Sequence, residues 1–203
     1  WLGGDLGTFY ASRFVVKPEL SVESRSTALT IMMGCDQGPR FAMPLILPLG
    51  IQLAAMQGSL NIDALWLNLS WFLCLAWVTM VVVLHFSHGK SFIPALTQFD
   101  FYFRGLMVAG LAMLSLLSLF GDGFLGADWV AIKLLVFAAL VACGLMIRVN
   151  LKPFLIAWGQ TLTAGPNKES DQVLIQALGR CRPFVYTIWV GLLVNAAYGL
   201  HLL

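Results

Sequence analysis

The sequence predicts an all-α protein, a polytopic helical bundle of about six transmembrane helices, and three observations carry that reading. Of the 203 residues, 59% are hydrophobic and only 11% are charged, where a soluble domain carries about 25% charged residues; the mean hydropathy is +0.83. Six apolar stretches are separated by polar segments. Lys and Arg gather in every second one of those segments, the signature of a chain threaded back and forth through a bilayer.

The stretches are 1–16, 41–57, 64–86, 105–120, 129–147 and 184–203, and most approach the ~20 helical residues that cross a ~30 Å hydrocarbon core. The first is short, so its helix is expected to have lost outer turns, and no basic n-region with a small-residue cleavage site marks a secretory signal. The second contains Pro44 and Pro48, and Gly34, Gly38 and Pro39 just before it predict a break. After the fifth, 151–160 reads as an interfacial segment and Gly165 with Pro166 as a turn. A short amphipathic helix over 169–180 follows, with Asn167 near its N-cap and Gly179 and Pro183 bracketing its end. The whole of 1–203 is read as one bundle, with cytoplasmic connections near 17–40, 87–104 and 148–183.

Arg13, Lys17, Arg25 and Arg40 flank the first connection, Lys90 and Arg104 the second, and Arg148, Lys152, Lys168, Arg180 and Arg182 the third, while 58–63 and 121–128 hold no Lys or Arg. Basic segments stay on the cytoplasmic side. Both ends of the chain are therefore expected to face outward from a bacterial inner membrane. The net charge of +2 is too small and too dispersed for nucleic acid; the expected partners are the lipid bilayer and other membrane subunits or a second copy.

Charges inside apolar stretches are the best leads to function, because each costs several kcal/mol at mid-bilayer unless it meets protein or water. Asp5 and Lys133 are such residues. A helix-locking ion pair or a snorkelled lysine is one reading of them, and a cofactor-lining or proton-carrying role is the other. Asp36 and Arg40 stand one turn apart beside the prolines of the second stretch, as an interfacial pair or as the inner mouth of a pocket. His85 and His88, at i,i+3, either hold a metal at the inner surface or simply end a helix at headgroup level, whereas His201 lies at the opposite end. Met32, Met33, Met43 and Met56 invite copper(I) but do not repeat on one face. The four cysteines form no C-x-x-C and are read as small apolar residues. Small residues at Gly3 and Gly7, at Gly105 and Ala109, and at Gly191 and Gly199 around Asn195 mark faces for close helix packing.

The stretches WLGGDLGTFYASRFVVKP, GPRFAMPLILPLG and WVAIKLLVFAALVACGLMIR resemble the polytopic helical superfamily that contains copper-resistance D-type proteins and heme-dependent protoporphyrinogen oxidases. The resemblance covers about a quarter of the chain. On the oxidase side it implies b-type heme, with Lys133 at the position of a functional lysine and the family's histidine at a position preceding Trp1; on the copper side it implies metal uptake. The sequence holds no complete catalytic constellation, so the first expectation is a non-catalytic accessory or scaffold subunit of a larger membrane electron-transfer complex. The alternatives are a heme-binding membrane redox protein and a small-solute or copper transporter.

Overall fold

A computed structural model describes residues 1–203 apart from His88, Asp122, Phe124 and Leu203. Among the described residues all regular structure is helical: α1 (Leu2–Val15), α2 (Val22–Met56), α3 (Ala64–Phe86), α4 (Ile93–Phe120), α5 (Asp128–Asn150), α6 (Lys152–Ala164) and α7 (Lys168–Gly199). All six apolar stretches lie in or largely within helices, and α3 coincides with the third.

What sequence reading placed in cytoplasmic connections is mostly helix. Residues 22–40 belong to α2, 93–104 to α4, and 168–183 to α7. Two expected breaks are absent, because α2 runs through Gly34, Gly38 and Pro39 and α7 runs through Gly179 and Pro183. A proline in mid-helix removes one hydrogen bond and crowds the carbonyl four residues back, and neighbouring helices in a membrane can absorb that loss. At Pro39 the deprived carbonyl is that of Cys35, and it lies against Gly4 of α1. A Cβ on Gly4 would sit 2.8 Å from that oxygen and overlap Pro39 Cδ. The bare glycine thus lets α1 pack on the altered turn. Where the chain does break, Pro153 opens α6 immediately after α5, and Gly165 at φ 83° closes it.

The start of α7 follows its sequence signal. Asn167 Oδ1 accepts from the Ser170 amide at 2.7 Å, and Ser170 Oγ accepts from the Asn167 amide at 3.3 Å. That reciprocal pair is a capping box with serine in the place of glutamate.

The chain divides into two compact units. Unit 1, residues 1–40 and 143–190, is organised around Val15, Ala28, Phe154, Ala157, Trp158, Leu174 and Ala177. The α6 contributions Phe154, Ala157, Trp158 and Thr161 recur at i, i+3, i+4 and i+7, one buried face of a helix. Unit 2, residues 41–142 and 191–203, has a core of Ala54, Leu60, Leu125, Val130 and Ala131.

Among the described residues, four helical segments are long and apolar enough to cross a bilayer: α2, α3, α4 and the run Asp128–Ala164. In α3 and α4 only 17% of the most apolar window is buried within the protein, and Phe72, Leu106 and Phe120 are 67%, 73% and 86% exposed. Apolar surface of that extent on a soluble protein would drive association. The protein is membrane-embedded.

Candidate functional site

The last turns of α7 meet α5 through small residues. A Cβ on Gly191 would lie 2.5 Å from Leu140 Cδ2, and a Cβ on Gly199 would lie 2.7 Å from Lys133 Nζ. Between these two contacts, Asn195 lines a partly open cavity of about 240 Å³ bordered by α2 (Ile46 to Ala54), α5 (Trp129 to Phe137) and α7. The three glycine and asparagine positions singled out in the sixth stretch are thus turned onto their own chain. Gly50 also borders the cavity, and a side chain there would enter open space.

Among the described residues the lining side chains are apolar except for Lys133, Asn195 and the indole of Trp129. Lys133 Nζ stands 5.5 Å from the centre of the Trp129 ring, a cation–π contact, and no carboxylate of unit 2 pairs with it among the described residues. The Asn195 Oδ1 atom is buried with no hydrogen-bond partner. Among the described residues, an ammonium and an unpartnered amide oxygen thus belong to a wall that otherwise offers carbon and one indole.

Asp5 lies in unit 1, where it accepts a hydrogen bond from Trp1, feels the negative charge of Asp36, and keeps Oδ2 buried without a partner. Asp36 accepts from Arg40 Nε at 2.6 Å. Asp5, Asp36 and Arg40 thus form one polar group where α1 meets α2, a juxtaposition that sequence separation hides. In the α1 contact Gly7 packs on Cys35, whereas Gly3 has nothing within 4 Å, so Gly4 and Gly7 set the interface. Gly105 has open space about it and Ala109 is exposed.

His85, at the end of α3, packs its ring edge-on to Phe86, and His88 lies outside the described residues. No three His, Cys, Asp or Glu side chains converge as a metal site among the described residues. Met32 packs on the unit 1 core, Met43 accepts from Arg104 Nη1 at 3.2 Å, and Met33 and Met56 are exposed. His201 stacks edge-on against Trp129 at 5.1 Å. Among the described residues the cavity wall presents no imidazole, thiolate or thioether. It therefore supplies no axial pair for the heme that the family resemblance implies, and its donor set does not fit that group.

Two charged nodes were missed as sites because their residues read as membrane-flanking charges. Arg25 is completely buried in unit 1: Nη2 donates to Asp171 Oδ1 at 2.8 Å, Nε donates to the Val15 carbonyl at 2.7 Å, and the guanidinium lies 5.6 Å from the Trp158 ring centre. In unit 2, Arg104 Nε donates to both Asp100 oxygens at 3.0 Å, and its guanidinium lies 5.2 Å from the Trp77 ring centre. The i,i+4 spacing of Asp100 and Arg104 was a usable signal once α4 extends back to Ile93. The Arg25 pair spans 146 residues and had none.

The fold and this site define the class: an all-α, membrane-embedded helical protein with an apolar cavity that carries one cation. Comparison with protein-family models, with curated proteins and with solved structures finds no match.

Proposed function

We propose that this protein is a membrane-embedded binding protein whose unit 2 takes up one small, mainly apolar molecule between α2, α5 and α7. The cavity carries this reading. At about 240 Å³ it is smaller than the ~300–1,000 Å³ sites of drug-sized ligands, yet larger than the ~150 Å³ apolar cavities that accept benzene. Its apolar wall with a few convergent polar groups is the usual composition of a ligand site. Binding of this kind serves an accessory subunit as well as a free-standing protein, and it requires no catalytic constellation.

The test uses the open space at Gly50. Gly50 borders the cavity and a Cβ there meets open space, so Gly50→Leu is expected to fold and insert as the original does while its side chain competes with any small molecule that co-purifies in native mass spectrometry. Retention of the same molecule by Gly50→Leu would sink the reading. A visible spectrum of both preparations reads the redox alternative directly, because a Soret band would restore heme.

A second reading, an accessory subunit docked on a larger membrane complex, is favoured by one observation. The Gly105 and Ala109 face of α4 is left open by its own chain, and small residues allow close helix approach in lipid. Gly105→Leu is then expected to remove a co-migrating polypeptide on a native gel without disturbing the fold.

Orientation belongs to the same proposal, with the basic segments on the cytoplasmic side of a bacterial inner membrane and the 121–128 loop outside. A single cysteine placed at Lys168 in a cysteine-free background should be labelled by impermeant maleimide only after cells are opened. Labelling of that position in intact cells would reverse the arrangement.

A further inference from the structure

The cavity has a charged end, and its polarity selects among apolar ligands. We infer that the cavity of unit 2 binds a monocarboxylate with a compact aryl or short acyl body, its carboxylate against the Lys133 ammonium beside Trp129 and its apolar body along α2. This inference rests on the binding-protein reading above and adds the chemical class of the ligand.

Three observations carry it. Lys133 Nζ has no carboxylate partner in unit 2 among the described residues, although its surroundings are carbon, an indole face and the Gly199 backbone. Lys133 is half-buried, and a cation set in an apolar wall with no carboxylate partner is where an incoming anion gains most. Next, among the described residues Lys133 is the only charged side chain in the wall. One ammonium balances one negative charge; a phosphate or pyrophosphate would ordinarily bring a guanidinium fork or several donors to share its charge. Finally, Asn195 lines the same cavity with its amide oxygen buried and unpartnered. An amide there can turn its NH2 toward a carboxylate oxygen, and the oxygen and nitrogen ends of such a group are interchangeable by a flip.

Gly199 supplies an unusually clean lever. A methyl at that position would sit 2.7 Å from Lys133 Nζ, the far end of a flexible side chain. Gly199→Ala therefore moves the ammonium while keeping its charge and leaving the helix backbone intact.

The experiment measures binding of three probes that share one 4-butylphenyl body to the full chain in nanodiscs by titration calorimetry: 4-butylbenzoate, 4-butylbenzyl alcohol and 4-butylbenzylammonium. The carboxylate is expected to bind roughly tenfold or more tightly than the alcohol, as a charge-assisted contact in an apolar site should, and the ammonium is expected not to bind. Lys133→Met should erase the preference, and Gly199→Ala should reduce it with the alcohol's affinity kept. Equal binding of carboxylate and alcohol, or a preference that survives Lys133→Met, overturns the charge assignment while leaving the cavity as a ligand site. Failure of all three probes to bind overturns both.

Discussion

Asp171→Ala is expected to destabilise the protein by about 3–5 kcal/mol, the usual cost of removing one partner from a buried ion pair. The reason lies in what the substitution leaves behind. Arg25 has no solvent exposure, and its Nη1 is already without a partner. Its Nε holds the Val15 carbonyl at the end of α1, and its guanidinium covers Trp158 of α6. Taking away the Asp171 carboxylate at 2.8 Å strands a positive charge among Val15, Trp158 and Leu174. The double variant Arg25→Met, Asp171→Leu removes both charges and should recover most of the loss, since apolar replacement of a buried pair is often neutral. Unfolding in mixed micelles by increasing SDS, read by circular dichroism, checks both. A drop of less than ~1 kcal/mol for Asp171→Ala would place the pair with the surface ion pairs of little net effect.

Gly126→Val is expected to cost about 3 kcal/mol or more, from two sources that add. Gly126 adopts φ 84°, a left-handed conformation that costs an L residue about 1–2 kcal/mol and a β-branched one more. In addition a Cβ there would lie 2.5 Å from the Ser59 carbonyl oxygen. That oxygen is backbone and cannot step aside as a side chain would. The 57–63 connection must move, and Leu60 and Leu125, which pack with Ala54 and Val130 beneath it, move too. Ala54 and Val130 also line the cavity, so ligand binding should fall with stability. Gly123→Ala is the control: it shares a positive φ of 63° but meets open space. It should cost only the conformational part, about 1 kcal/mol. Equal unfolding midpoints for the two variants would show that the Ser59 contact does not constrain the loop.

How much of the site was legible can be judged from Lys133. Its place in an apolar stretch marked it as unusual, since a lysine seldom lies in such a stretch without purpose. The Asn195 and Gly199 spacing also marked one face of the sixth stretch. Nothing in one dimension says that these two features meet, because the meeting depends on which face of α7 turns toward α5. The same holds for Asp5: its burial cost was evident, but its neighbours in α2 were not.

The sequence by itself determined that the protein is helical, that it lies in a membrane, and where its apolar segments fall. Those properties follow from run length and from local composition, which a bilayer reads residue by residue. It did not determine where the helices end. Gly34, Gly38, Pro39, Gly179 and Pro183 are helix breakers by local propensity, yet α2 and α7 pass through them, and at Pro39 the close packing of Gly4 shows how a neighbouring helix accommodates the defect. Only the tertiary structure decided the juxtapositions: Arg25 with Asp171, Asp5 with Asp36, and Lys133 with Gly199 at a cavity that Asn195 also lines. The physical reason is that helices apolar on nearly every side carry no stripe to point their cores inward. In lipid, faces are chosen by close packing and by the few polar atoms that must find partners, and both are properties of the assembled helices.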